Sequence, residues 1–159
     1  MAREFQKIIV MGLGYIGLPT ASMLATKGHQ VLGVDVNAKA VDTINSGRIH
    51  IVEPDLDILV KSAVNSGNLK ASLTPEEGDT FILAVPTPFK EVDGNPKAPD
   101  LAYVEAATRA IAPYLREDNL IILESTSPVG TTERVQEIIH AMRPELVGKV
   151  HTAHCPERV

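Results

Sequence analysis

The stretch Lys7-Ile8-Ile9-Val10-Met11-Gly12-Leu13-Gly14-Tyr15-Ile16-Gly17 decides the fold. Its first five residues read as a buried strand. Glycines then follow in the pattern G-x-G-x-x-G, and a helical pattern runs from Ile16 to Lys27 with Leu24 and Ala25 on the face of Ile16. Alone, such glycines are a weak signal. Between a strand and a helix they mark a phosphate-binding turn. Gly12 permits the tight turn, Gly14 lets the backbone approach a diphosphate, and Gly17 lets the helix close on the strand. The first N–H groups of the helix have no intrahelical acceptor and carry partial positive charge. Those of Tyr15 and Ile16 are the expected phosphate donors.

Outward from this turn, β-rich runs alternate with helical ones. Strands are expected at Gln30–Val34, Lys70–Thr74, Asp79–Val85, Asn119–Glu124 and Val150–His154. Helices are expected from a cap at Asn37 to Asn45-Ser46-Gly47, from Glu53-Pro54-Asp55 to Ser66-Gly67-Asn68, from Asp100 through Ile111, and from Thr131 through Met142. Strands separated by helices imply parallel pairing, so the fold class is α/β, a doubly wound parallel sheet of Rossmann type. Its six strands take the order 3-2-1-4-5-6, with a ligand crevice at their carboxyl ends. The long segment Pro86–Pro99 holds prolines at 86, 88, 96 and 99, which are expected to prevent ladder formation. The run Cys155–Val159 directly follows the last expected strand, which suggests a piece of a larger protein: 1–159 as one dinucleotide-binding domain, with the substrate domains elsewhere.

Asp35 ends the second strand, 18 residues after Gly17. A carboxylate there can accept hydrogen bonds from both adenosine ribose hydroxyls and would repel a 2′-phosphate. Val36 and Asn37 follow, with no adjacent arginine, which favours NAD over NADP; Lys39 reads as a solvated helix residue. The competing reading of Asp35 is a helix N-cap. Two further turns, Val85–Pro88 and Glu124–Thr132, face the same crevice. Helix capping is the better account of Thr131, whereas Thr87, between two prolines at a strand end, is at least as well explained by function.

Charged residues make up 22% of the 159 and hydrophobic residues 44%, an ordinary globular balance. The net charge of −5 argues against a nucleic-acid partner and an anionic membrane surface. A single cysteine, Cys155, excludes an internal disulfide and a multi-cysteine metal site. Apolar runs such as Phe81–Val85 fall far short of the roughly 20 residues of a membrane helix. No secretory segment opens the chain, so a cytoplasmic protein is expected. His151 and His154, three apart on a strand, point to opposite faces, and no metal site is expected.

GLGYIGLPTA (12–21), GVDVN (33–37), EPDL (53–56), VPTPF (85–89), ESTSPVGTTE (124–133) and CPERV (155–159) together resemble the NAD-binding domain of the UDP-glucose/GDP-mannose dehydrogenase family. The match spans nearly the whole chain. Many relatives carry glycine at the position of Asp55. IVEPDL, AVPTPFK and CPERV most resemble the members that act on UDP-N-acetylhexosamines. The resemblance implies oxidation of a sugar C6 alcohol to a carboxylate with two NAD⁺, through a thiohemiacetal and a thioester on a cysteine. That cysteine, with a lysine and an asparagine, belongs to a later part of the family's chain; Cys155 is not at its position and reads as structural. By the same resemblance Tyr15, Ile16, Asp35, Thr87 and Thr132 contact NAD. Thr126 lies near the reacting centre, Glu157 does acid/base work, and Arg158 and Val159 contact the UDP-sugar substrate. It further implies a homo-oligomer in the full-length protein. This chain alone is expected to bind NAD without turnover.

Two other enzyme readings are weaker. A 3-hydroxyacid-type dehydrogenase does not account for ESTSPVG and CPERV. A short-chain dehydrogenase needs Tyr-x-x-x-Lys, and the residues four past Tyr15, Tyr103 and Tyr114 are Pro19, Ala107 and Asp118. A stand-alone nucleotide-sensing module is the alternative from another class.

Overall fold

The computed structural model describes residues 7–92 and 95–157, apart from the side chains of 91–97. Strands β1 (Lys7–Met11), β2 (Gln30–Val34), β3 (Leu69–Ser72), β4 (Thr80–Leu83), β7 (Leu120–Leu123) and β8 (His151–His154) form one sheet in the order β3-β2-β1-β4-β7-β8. All its pairs are parallel. The order is the one expected from the sequence. Apolar runs in β1, β2 and β4 suit a sheet covered on both faces.

Side chains alternate across the sheet and build two cores. Ile8, Val10, Val31, Leu69 and Ile82 pack under α1 (Gly17–Thr26), α2 (Ala38–Asn45) and α3 (Leu56–Asn65). Ile9, Met11, Leu32, Phe81, Leu83, Ile121 and Leu123 pack under α4 (Ala102–Ile111) and α5 (Thr131–Met142). Fully burying each such side chain contributes about 1.5–3 kcal/mol, so the doubly covered sheet is the rigid part of the molecule. Its strand ends hold the site.

Helix starts reveal three local devices. Asn37 caps α2, its side chain accepting the N–H groups of Lys39 and Ala40. At the start of α3, Asp55 sits in the left-handed region, with φ 61° and no side-chain cap. Glycine there would meet no Cβ penalty. Thr131 is a correction: the residue before α5 is Gly130, at φ 92°, and Thr131 is itself helical and buried. Its hydroxyl donates to the carbonyl of Pro128 at 2.7 Å and so closes the preceding turn.

The proline-rich segment is a second correction. β5 (Phe89–Val92) and β6 (Asn95–Pro99) pair as an antiparallel ribbon with an irregularity between Lys90 and Val92. A two-stranded ribbon leaves every strand one open edge. A proline whose nitrogen faces that edge removes no ladder bond, so prolines that would exclude a central strand are tolerated here.

Candidate functional site

The carboxyl ends of β1, β2, β4 and β7 open into one cavity of about 700 Å³. Its lining includes Gly12, Gly14, Tyr15, Ile16, Asp35, Thr87, Glu124, Thr126 and Glu157. A crevice across the middle of such a sheet is where dinucleotides bind.

The glycine turn has one residue left open. Gly12 adopts φ +92°, and a Cβ there would meet the Ala84 carbonyl oxygen at 2.7 Å. A Cβ on Gly17 would lie 1.8 Å from the Gly12 oxygen. Both are therefore required by the protein's own packing. A Cβ on Gly14 would meet nothing within 4 Å. That space belongs to the cavity, and it fits a close-approaching diphosphate. α1 starts without a side-chain cap. Among the described residues no acceptor takes the N–H groups of Gly14, Tyr15 or Ile16. These donors and the partial charge of the helix end suit an anion.

Asp35 is half-buried beside this turn. Its Oδ2 accepts the Leu13 N–H at 2.9 Å, and its Oδ1 accepts the Asn37 N–H at 2.9 Å. The cap of α2 is Asn37, so Asp35 is not the helix cap. Each carboxylate oxygen keeps acceptor capacity beyond its backbone bond. Lys39 is exposed on α2, as a solvated residue would be.

The other half of the crevice is joined by hydroxyl groups. Thr87 donates to the Thr126 carbonyl at 2.5 Å. Ser125 donates to the Val85 carbonyl at 2.5 Å, and Thr126 donates to the Glu157 carbonyl at 3.0 Å. Thr87 and Thr126 line the cavity, with their protons committed to the protein and lone pairs left to offer. Thr132 lies partly buried in the first turn of α5 and does not line the cavity. Glu157 stands exposed on the rim, its N–H bonded to the Glu124 carbonyl at 3.3 Å. Arg158 and Val159 lie outside the described residues. Cys155, expected to be structural, directly follows β8. Its N–H donates to Leu123 at 2.9 Å and extends the ladder, but its thiol is exposed.

Sequence reasoning did not single out Glu124. It lines the cavity at the end of β7, and its Oε1 accepts the Thr20 hydroxyl of α1 at 3.0 Å. Its Oε2 is buried and has no hydrogen-bond partner among the described residues. Burial pushes this carboxyl above the ordinary carboxylate range. The Thr20 hydroxyl opposes that shift, and the nearby Glu157 charge adds to it. The available signal was a carboxylate ending an otherwise apolar strand, Leu120-Ile121-Ile122-Leu123-Glu124, at the mouth of the crevice.

A doubly wound parallel sheet with a glycine cradle on its first strand and an acid on its second defines a dinucleotide-binding domain. Residues 6–159 match the NAD binding domain of the UDP-glucose/GDP-mannose dehydrogenase family, and the chain belongs to that family. It is 56% identical to the UDP-N-acetyl-D-mannosamine dehydrogenase of Escherichia coli over 98% of this chain and 38% of the relative. It is 55% identical to the NDP-N-acetyl-D-galactosaminuronic acid dehydrogenase of Ralstonia nicotianae, with the same coverage. Among solved structures, the native UDP-N-acetyl-mannosamine dehydrogenase of Staphylococcus aureus superposes with a TM-score of 0.85 at 42% identity, over 96% of this chain and 37% of that one. The chain thus spans little more than a third of the length of these relatives. Among the described residues no helix is long and apolar enough to cross a membrane.

Proposed function

We propose that residues 1–159 are the NAD-binding domain of a UDP-N-acetyl-D-mannosamine dehydrogenase, which oxidises the sugar C6 alcohol to the uronate with two NAD⁺. The observation that carries the cofactor half is the open space at Gly14, flanked by the unpaired N–H groups of Tyr15 and Ile16 and by the carboxylate of Asp35. NAD⁺, when bound, supplies the hydride acceptor. Tyr15 and Ile16 hold the diphosphate through backbone N–H groups. Asp35 accepts the adenosine ribose hydroxyls with its remaining lone pairs and disfavours a 2′-phosphate. Thr87 offers its hydroxyl oxygen as an acceptor, and Thr132, outside the cavity lining, is the contact that the family resemblance implies from the first turn of α5. Thr126 and Glu157 act near the reacting carbon, Thr126 by holding a water or relaying a proton and Glu157 by acid/base work. Arg158 and Val159 contact the UDP-sugar, for which a guanidinium fork suits anionic and carbonyl oxygens. The nucleophilic cysteine and its lysine belong to another part of the intact protein, which assembles as a homo-oligomer.

The similarity to the Escherichia coli and Staphylococcus aureus enzymes supports the mannosamine substrate. The equally similar Ralstonia relative supports a second reading, an N-acetylgalactosamine nucleotide. Turnover assays of the intact protein against UDP-N-acetylmannosamine, UDP-N-acetylgalactosamine, UDP-N-acetylglucosamine and UDP-glucose separate the two. The expected result is two NADH formed per UDP-N-acetylmannosamine consumed; turnover confined to another sugar would replace the mannosamine assignment. Calorimetry on the 159-residue chain checks the cofactor half, with NAD binding and no turnover as the expected outcome.

A further inference from the structure

Glu124 has no part in the reading above, yet it occupies a defined place in it. Counting along the sheet, Asp35 ends β2, the glycine turn ends β1, and Glu124 ends β7, two strands beyond β1 on the far side. At about 4.8 Å per strand, the two carboxylates end strands roughly 14 Å apart. A dinucleotide with its adenosine ribose over β2 and its diphosphate over the start of α1 therefore brings its nicotinamide half toward the ends of β4 and β7.

There the chain offers a half-buried carboxyl, that of Glu124. Its Oε1 is held by the Thr20 hydroxyl, and its Oε2 has no partner among the described residues. Among the described residues, nothing supplies a cation to compensate a negative charge. Residues 17–26 of α1 and residues 84–88 after β4 contain no charged side chain, and neither do residues 125–132 after β7. The segment after β8 brings Glu157, which is repulsive, and Cys155. The ring of His154 meets the Ser125 carbonyl at 3.4 Å. A carboxyl so placed holds its proton more readily than a free one, and an arriving positive charge favours its release. Oxidised nicotinamide carries a positive charge on its ring; the reduced ring carries none.

We propose that Glu124 is a charge-sensing residue for the nicotinamide, protonated beside NADH and ionised beside NAD⁺, so that it favours the oxidised over the reduced cofactor and exchanges one proton with solvent as the cofactor alternates. The inference rests on the NAD-binding reading. The proton step breaks the carboxyl O–H bond of Glu124 and delivers the proton to water; no electrons move in it. By reciprocity, whatever ionises Glu124 strengthens NAD⁺ relative to NADH, so the affinity ratio shifts toward NAD⁺ as pH rises.

Calorimetric titration of the intact protein with NAD⁺ and with NADH, in buffers of different ionisation enthalpy between pH 5.5 and 8, counts the protons exchanged. NAD⁺ binding is expected to release a substantial fraction of a proton near the midpoint of the Glu124 titration, and NADH none. Glu124→Gln should abolish this difference and reduce the NAD⁺-to-NADH affinity ratio at pH 8 about tenfold, as expected for charges several ångströms apart at an effective dielectric near 20. Thr20→Val removes the hydroxyl that favours the ionised form and should move the proton release to higher pH. Thermal unfolding of both variants reports whether they fold. Should Glu124→Gln misfold, an unshifted release in Thr20→Val overturns the proposal. Equal proton counts for the two cofactors, or a difference that survives in folded Glu124→Gln, would also overturn it while leaving the NAD-binding reading intact. Binding of neither cofactor to folded parent protein would overturn both.

Discussion

At one end of the crevice Asp35 closes β2, and at the other Glu124 follows β7; the protein treats these two strand-end carboxylates in opposite ways. Both oxygens of Asp35 receive backbone N–H groups, from Leu13 in the glycine turn and Asn37 at the cap of α2. Charge-assisted bonds of this kind fix an anion and its orientation. Glu124 receives one hydroxyl proton, and its other oxygen is buried without a partner among the described residues. The difference shows what the backbone can do near a helix start. Where the turn presents free N–H groups, a carboxylate is held by two backbone donors and becomes a fixed acceptor. Where only strand ends and hydroxyl side chains surround it, the same group stays responsive to charge.

Three substitutions test the first half of that comparison, in descending order of effect. Gly17→Ala should be the most damaging, because its Cβ would sit 1.8 Å from the Gly12 oxygen. The turn that carries Leu13 must then move, and Asp35 loses its anchor. A loss of about 3 kcal/mol in unfolding free energy, at the upper end for overpacking, is the expected result in denaturant titration. An unchanged midpoint would mean that the cradle is loosely held. Asp35→Ala should weaken NAD by about ten- to a hundredfold, the loss of one or two charge-assisted hydrogen bonds of about 1.5–3 kcal/mol. It should leave NADP affinity much less changed, and equal losses for the two cofactors would contradict the ribose role. The smallest effect is expected from Asp55→Gly. Asp55 holds φ 61° away from the crevice, so relief of left-handed strain should raise stability by about 0.5–1 kcal/mol without altering NAD affinity.

Much of this architecture is written in local pattern. β1 and β2 have the bounds their sequence suggests: a polar residue, Lys7 or Gln30, opens each, and the four residues that follow are buried. Expected strands overrun at β4 and β7 by one or two residues, since an apolar run such as Phe81–Val85 continues past the last ladder pair into the crevice wall. The ribbon of β5 and β6 is hidden by its prolines, whose meaning depends on whether a strand has an open edge. At the site, the glycine turn and Asp35 are legible because they lie within one βαβ unit. Glu124 and Thr20 lie 104 residues apart, so no local window reveals that a hydroxyl on α1 meets a carboxylate after β7. The orphan oxygen is likewise a property of three-dimensional burial alone.

The hydroxyl contacts from Ser125 to Val85, Thr87 to Thr126 and Thr126 to Glu157 tie three successive strand-end turns to one another through the protein's own groups. Loops ordered only on binding would charge their lost entropy against affinity. Here that ordering is completed when the chain folds, so a visiting cofactor meets a preorganised wall, and severing one contact should slacken the neighbouring turns as well.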